Sequence, residues 1–213
     1  MIEPVTLSGK HVTLRPLAPA DTAALHEIAS GPRESFVWAN VPAPEHVESY
    51  VARALESVAR KQALVFAICK PAEPLPATRG ALEAVVGCTR LFDLQRWEWP
   101  PGKDPRPGQD VLDACEIGYT WLAPRAQRTP VNTEAKLLLL RHAFEVWKCW
   151  RVTIKTDERN ERSRRAIERL GAKADGILRS AHPAVDGKPR NTAYYAVIAA
   201  EWPQIRASLM ARL

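Results

Sequence analysis

Two stretches of this chain run from an apolar strand-like segment, through a short polar turn, straight into a helix. No other feature constrains the fold as strongly. The first is Glu116–Lys136 (EIGYTWLAPRAQRTPVNTEAK) and the second is Thr153–Gly171 (TIKTDERNERSRRAIERLG). In the first, Pro124 stops the strand and a helix opens with Asn132, Thr133 and Glu134. A helix start leaves backbone N–H groups without partners, and the helix dipole adds partial positive charge there. Arg125 and Arg128 stand beside it. The combination suits a phosphate or pyrophosphate, although a plainly capped helix with surface arginines has the same signature. In the second stretch Asn160 is a good N-cap and Ser163 falls one turn in. If the two strands lie parallel and splay apart, Asn160 and Ser163 face a cleft that admits a flat ligand; otherwise they are ordinary helix-start residues.

The rest of the chain places these units in a mixed sheet. His11–Leu17 alternates as a first strand, and helices fit Asp21 to Ser30 and Pro44 to Lys61. Ala63–Cys69 and Ala84–Leu94 read as an antiparallel hairpin whose connection, with Pro71, Pro74 and Pro76, is a loop. Gly87 inside the second of these marks a bulge or a close approach. Gln95–Asp110 has too much Pro and Gly for regular structure; its Trp97 and Trp99 either wall a pocket or anchor the loop. Val111–Leu122, Arg151–Thr156, Ala174–Ser180 and Thr192–Ala200 are strands, and helices fit Asn132 to Val146, Asn160 to Leu170 and a short segment from Trp202. Strands followed by alternating strands and helices imply helices on both faces of the sheet.

A length of 213 residues with 46% hydrophobic residues suits one domain with a sizeable core. The net charge of +6 favours an anionic partner: a pyrophosphate, RNA or an acidic protein face. No basic run reaches the length of a nucleic-acid-binding tail, and the aromatic signature of an RNA-binding sheet is missing, so nucleic acid is disfavoured. Cys69, Cys88, Cys115 and Cys149 form no CxxC pair and no cluster with His, so no metal site is expected, and their placement suits a reducing cytoplasm. The opening residues lack the pattern of a signal peptide, and the apolar run near Leu137–Leu140 is too short to span a bilayer.

Four pieces in order resemble the GNAT superfamily of N-acetyltransferases, in particular its RimJ/RimL-type group of ribosomal-protein-alanine acetyltransferases. They are GKHVTLRPL (Gly9–Leu17), EIGYTWL (Glu116–Leu122), QRTPVN (Gln127–Asn132) at the place of the pyrophosphate loop, and NERSRRAIERLG (Asn160–Gly171). The resemblance implies a single-domain α/β (α+β) fold over residues 1–213. Its sheet is mixed, mostly antiparallel and seven-stranded, with helices on both faces and a splayed parallel strand pair. It implies acetyl-CoA as cosubstrate, no metal, and direct attack on the thioester by a primary amine, from a protein N-terminus or a small molecule. A homodimer is compatible with it.

By the same resemblance Glu116 is the base and Ser163 the acid, with Tyr194 or Tyr195 behind it; the tyrosines' apolar strand also suits sheet packing. Main-chain groups at Trp121, Leu122 and Ala123 hold the pantetheine arm. Gln127, Arg128, Thr129, Val131, Asn132 and Thr133 hold the pyrophosphate, and Asn160 joins the cofactor wall. The loop departs from the family pattern at Pro130 and Asn132, which replace small residues; Pro130 has no N–H to offer and Asn132 is available to cap the helix. That departure motivates an alternative, a non-catalytic CoA-binding or interaction module. Trp38, Trp97, Trp99 and the Pro-rich loop suggest an aromatic-walled acceptor pocket.

Overall fold

The structure, a computed structural model, describes residues 2–70 and 84–213. The loop expected at Pro71, Pro74 and Pro76 lies outside them. The strands are β1 (Leu7–Ser8), β2 (Thr13–Pro16), β3 (Ala63–Lys70), β4 (Ala84–Gln95), β5 (Ala114–Leu122), β6 (Arg151–Asp157), β7 (Lys173–Pro183) and β8 (Pro189–Ile198). The α-helices are α1 (Thr22–Ala29), α2 (Val47–Ala59), α3 (Pro130–Arg141), α4 (Glu161–Arg169) and α5 (Trp202–Met210).

Among the described residues the sheet has eight strands in the order β1-β2-β3-β4-β5-β6-β8-β7. The strand beyond the seven expected is β1, two residues long, too short to carry any periodicity. Neighbours are antiparallel except β5 and β6, which pair parallel only at Ala114↔Arg151, Cys115↔Val152 and Glu116↔Thr153. Beyond that point they part: β5 runs on beside β4, while β6 runs on beside β8. This is the splayed parallel pair that the sequence suggested.

Each face of the sheet has its own core. On one, Leu14, Phe66 and Ile117 pack with Leu139 and Leu140 of α3, Ile167 of α4 and Leu209 of α5. On the other, Val65, Ala67 and Trp121 pack with Leu25 of α1 and Val47 and Val51 of α2. Among the described side chains, α3 is buried from Glu134 through Leu140, because it lies between the sheet and α5. It ends in a π-helical turn, His142–Val146, that seats the His142 ring edge-on against Trp147 at 4.8 Å. Val146, the last residue of the helix expected from Asn132, is 60% exposed, since the wider turn rotates it outward.

Glu134 fastens α3 to the start of the chain. Its carboxylate accepts from the N–H groups of Lys10 (2.7 Å), His11 (2.6 Å) and Val12 (2.8 Å). A Cβ on Gly9 would sit 2.3 Å from that carboxyl carbon. Gly87 is a close approach as expected: a Cβ there would stand 2.1 Å from the carbonyl oxygen of Trp121 on β5.

Candidate active site

The cleft follows from the parting of β5 and β6. It encloses about 510 Å³, and its walls come from both faces of the sheet. Asn132 and Lys136 of α3 with Asn160 and Ser163 at the start of α4 line one side; Trp38 and Asn40, ahead of α2, and His182 and Arg190 of the β7–β8 hairpin line the other. The floor is β5 from Glu116 to Trp121. Two residues of β5, Tyr119 and Thr120, stand opposite the single residue Thr89 of β4, a β-bulge, with Tyr119 at φ 51°. From Ile117 onward β5 has lost its β6 partner, so its edge on that side is open along the cleft.

Glu116 is the last paired residue on β5, facing Thr153. It is 3% exposed, and the Lys155 ammonium lies 2.8 Å from its carboxylate. Burial pushes the Glu116 carboxyl above its ordinary range, and the bond and charge of Lys155 only partly offset this. Burial pulls the Lys155 ammonium down, but Glu116 outweighs it and the net shift is upward. Lys155 also stands over the ring of Tyr194 at 5.3 Å.

The start of α4 is built as expected. The Asn160 side-chain oxygen accepts from the Ser163 N–H at 3.0 Å, so Asn160 caps the helix and the half-buried Ser163 is set into the wall. Tyr195 is 1% exposed, and its hydroxyl is held by Arg164 Nε (3.0 Å) and Glu168 (3.0 Å) of α4. The Tyr194 hydroxyl instead meets His182 Nε2 at 3.4 Å.

The loop before α3 differs from expectation in three details. The helix begins at Pro130, and Thr129 is the cap: its hydroxyl accepts from Val131 N–H (3.4 Å) and donates to the Ala126 carbonyl (2.7 Å). Asn132 is thereby released from capping and turns to the cleft. Pro130 occupies N1, where a missing N–H costs the helix nothing and a fixed φ helps it. Gln127 spends its side chain internally, donating to the Leu122 carbonyl (2.9 Å) and accepting from Arg162 (3.2 Å). That bond engages the Leu122 carbonyl, and the Ala123 N–H donates to Val86 at 2.7 Å, so the open part of β5 lies upstream, from Ile117 to Trp121. The Trp121 indole leaves the cleft for the second core, donating to the Tyr50 hydroxyl at 3.3 Å. Arg128 sits at φ 60°. Among the described residues the N–H groups of Arg128, Thr129 and Asn132 have no acceptor.

Trp97 and Trp99 anchor their loop. The Trp97 N–H (2.8 Å) and the Trp99 indole (3.3 Å) both donate to Asp113, and neither ring lines the cleft. Trp38 does line it, with the Arg159 guanidinium 4.0 Å above its ring.

Asn40, Lys136, Lys155 and Arg190 of the cleft escape sequence reasoning, and Lys136 is the most informative of them. Lys136 is 5% exposed, and its ammonium donates to the Thr120 hydroxyl at 2.6 Å. No carboxylate pairs with it among the described residues, and burial lowers its pKa to about 7. The signal is present all the same: Lys136 follows Asn132 by one helical repeat, hence on the same face, and it interrupts an otherwise apolar run.

Comparison with known proteins agrees with this geometry. A crystal structure of an acetyltransferase from T. thermophilus superimposes with a TM-score of 0.72 at 34% identity, covering 99% of this chain and 98% of that one. Mycobacterium smegmatis RimJ in complex with CoA-disulfide shares the fold, with a TM-score of 0.74 at 20% identity over 99% of this chain and 96% of its own. A Bacillus subtilis (strain 168) protein, named provisionally as ribosomal N-acetyltransferase YdaF, is 34% identical over 88 residues. That match takes in 41% of this chain and 47% of the relative, about half its length. Residues 11–173 match the family model of the acetyltransferase (GNAT) domain, and together with the splayed strands, the bulged β5 and the capped α4 this means that the chain belongs to the GNAT acetyltransferase family.

Proposed function

We propose that this protein moves an acetyl group from acetyl-CoA to a primary amine, by direct attack with both molecules held in the cleft. The observation that carries this reading is the parting of β5 from β6 at Glu116: it opens a strand edge and a path through the sheet beside a buried carboxylate. Holding two reactants in line is most of what such a reaction needs.

The α3 entrance fits an anionic tail. Arg128, Thr129 and Asn132 offer unengaged N–H groups, with the positive end of α3 behind them. We assign the main chain of Arg128, Thr129, Val131, Asn132 and Thr133 to the pyrophosphate, and the β5 edge up to Trp121 to the pantetheine arm. Gln127 shapes the loop from inside, and Asn160 lines the wall. When bound, acetyl-CoA supplies the activated acetyl group as a thioester. The protein's own residues handle the protons. Glu116 accepts the ammonium proton, directly or through water, and its raised pKa suits a base working near neutrality. Ser163 and Lys136, on the α3–α4 side, are the groups that can give a proton back.

The RimJ/RimL-type resemblance and the name of the B. subtilis relative favour a peptide N-terminus as acceptor, in the cytoplasm. Calorimetry with acetyl-CoA, followed by thiol release across a panel of amines, tests the reading. It expects binding and acceptor-dependent release; no heat and no thermal shift at millimolar acetyl-CoA would sink it.

A further inference from the structure

We propose that the acceptor carries a carboxylate close to its reacting amine, and that Arg190 is the residue that reads it. The inference rests on the acetyl-transfer reading of the cleft and adds the class of acceptor to it.

Arg190 stands on β8 opposite His182 of β7 and lines the same end of the cleft as Trp38, Glu116 and Lys155. Its guanidinium makes no hydrogen bond and no ion pair with any described residue, and its Nε is closed off from solvent with no partner. Such a group is costly to leave unmatched. The surrounding acids are not available to match it. Glu116 is held by Lys155 at 2.8 Å, Asp157 by Arg159 at 2.7 Å and Asp186 by the same arginine at 3.0 Å. Glu158 accepts from Asn191 at 2.9 Å.

The other basic groups at this end are engaged as well. Lys155 is committed to Glu116, and His182 Nε2 meets the Tyr194 hydroxyl at 3.4 Å. Among the described residues, Arg190 is therefore the cation at the acceptor end that no acidic group already pairs. It is also close enough for its charge to act on Glu116, Asp157 and His182, so a ligand group that meets it lies near the base.

The shape and charge of the site select the ligand group. A guanidinium presents a planar fork that two carboxylate oxygens match. One free cation balances one negative charge. A dianionic phosphate would bring a second charge beside the Glu116 carboxylate with nothing to neutralise it. The carboxylate has two sources: the α-carboxylate of a small amino compound, or an acidic side chain near the N-terminus of a peptide.

Matched acceptors separate these cases under saturating acetyl-CoA, read by thiol release. One pair is a free amino acid and its carboxamide; the other is a peptide opening Ser-Asp and the same peptide opening Ser-Asn. At least one pair should show a KM about tenfold lower for the carboxylate member, as expected for a charge-assisted bond to a half-buried guanidinium. The preference should vanish in Arg190→Gln and return in part in Arg190→Lys, with melting temperatures confirming that both variants fold. Calorimetry of the same pairs into CoA-saturated protein should show the same gap without turnover. Equal KM values within both pairs, or a preference that survives Arg190→Gln, overturns the inference while acetyl transfer stands. Protein that binds no CoA, and that releases no thiol whichever amine is supplied, removes both.

Discussion

The Lys155 ammonium lies 2.8 Å from the Glu116 carboxylate at the last rung of the β5–β6 ladder. The pair sits where the strands begin to diverge, with Glu116 almost fully buried and Lys155 partly so. Removing one partner of such a pair strands the other, so the informative change is one that keeps the shape of Glu116. Glu116→Gln should lower turnover by roughly 100-fold or more, as for loss of a general base, while acetyl-CoA affinity by calorimetry changes little. The rate of the parent enzyme should rise with pH as Glu116 ionises, and that limb should disappear in the variant. Full turnover in Glu116→Gln near neutral pH would remove Glu116 as the base.

Lys136 predicts a slope in stability. Its folded-state pKa is lowered to about 7 from 10.5 by burial, so between those values the unfolded chain holds a proton that the folded chain does not. Stability should therefore rise with pH across that window, by up to about 1.4 kcal/mol per pH unit. Below about pH 7 both states are protonated and the penalty for burying the charge is fully present. Lys136→Met should abolish the slope and be the more stable protein at pH 7. Urea denaturation at a series of pH values measures both, and parallel curves for the two proteins would show that Lys136 stays charged or finds an anion.

At the α3 entrance, Asn132→Glu brings a negative charge to the N–H groups assigned to the pyrophosphate. Acetyl-CoA affinity should fall by about tenfold or more, a change of about 1.4 kcal/mol, with the loss smaller at high salt. Unchanged affinity by calorimetry would move the anionic tail elsewhere. Ser163→Ala, by contrast, should slow transfer only modestly, because the Asn160 cap it leaves behind needs only the Ser163 backbone N–H.

Glu134→Gln tests the clamp between α3 and the start of the chain. Three backbone N–H groups share one buried carboxylate, and the amide offers one neutral oxygen in its place. Hydrogen bonds to a charged group are worth about 1.5–3 kcal/mol each and do not simply add. A loss of about 3 kcal/mol in chemical denaturation is expected, with acetyl-CoA binding weakened less than by Asn132→Glu. A loss under about 0.5 kcal/mol, the scale of a surface substitution, would show that the clamp is dispensable.

The order of elements, the Asn160 cap and the close approach at Gly87 are legible in the sequence, because periodicity, caps and glycine act through near neighbours, whereas the parallel pair is implied only by the family resemblance. What depends on distant segments meeting is not. Glu116 can be placed on its strand from sequence, but not Lys155 beside it. Gln127 reads as a ligand of the loop until Arg162 and the Leu122 carbonyl are seen to occupy its side chain. Trp97 and Trp99 read equally as pocket walls until Asp113 claims both. Pro130 reads as a defect in an anion loop, whereas at N1 it is a good way to begin a helix.

The gap beside Glu116 is made by main chain, not by side chains: two strands are bonded to different neighbours and so must separate. Its width is inherited from the twist and pairing of the whole sheet. Trp38 and the turn end of the β7–β8 hairpin, which wall one mouth of it, lie beyond those pairings, the last of which is Asp157 with Thr192. Such an arrangement lets descendants of one scaffold exchange the amine they accept while the spot where the bond is made keeps its dimensions.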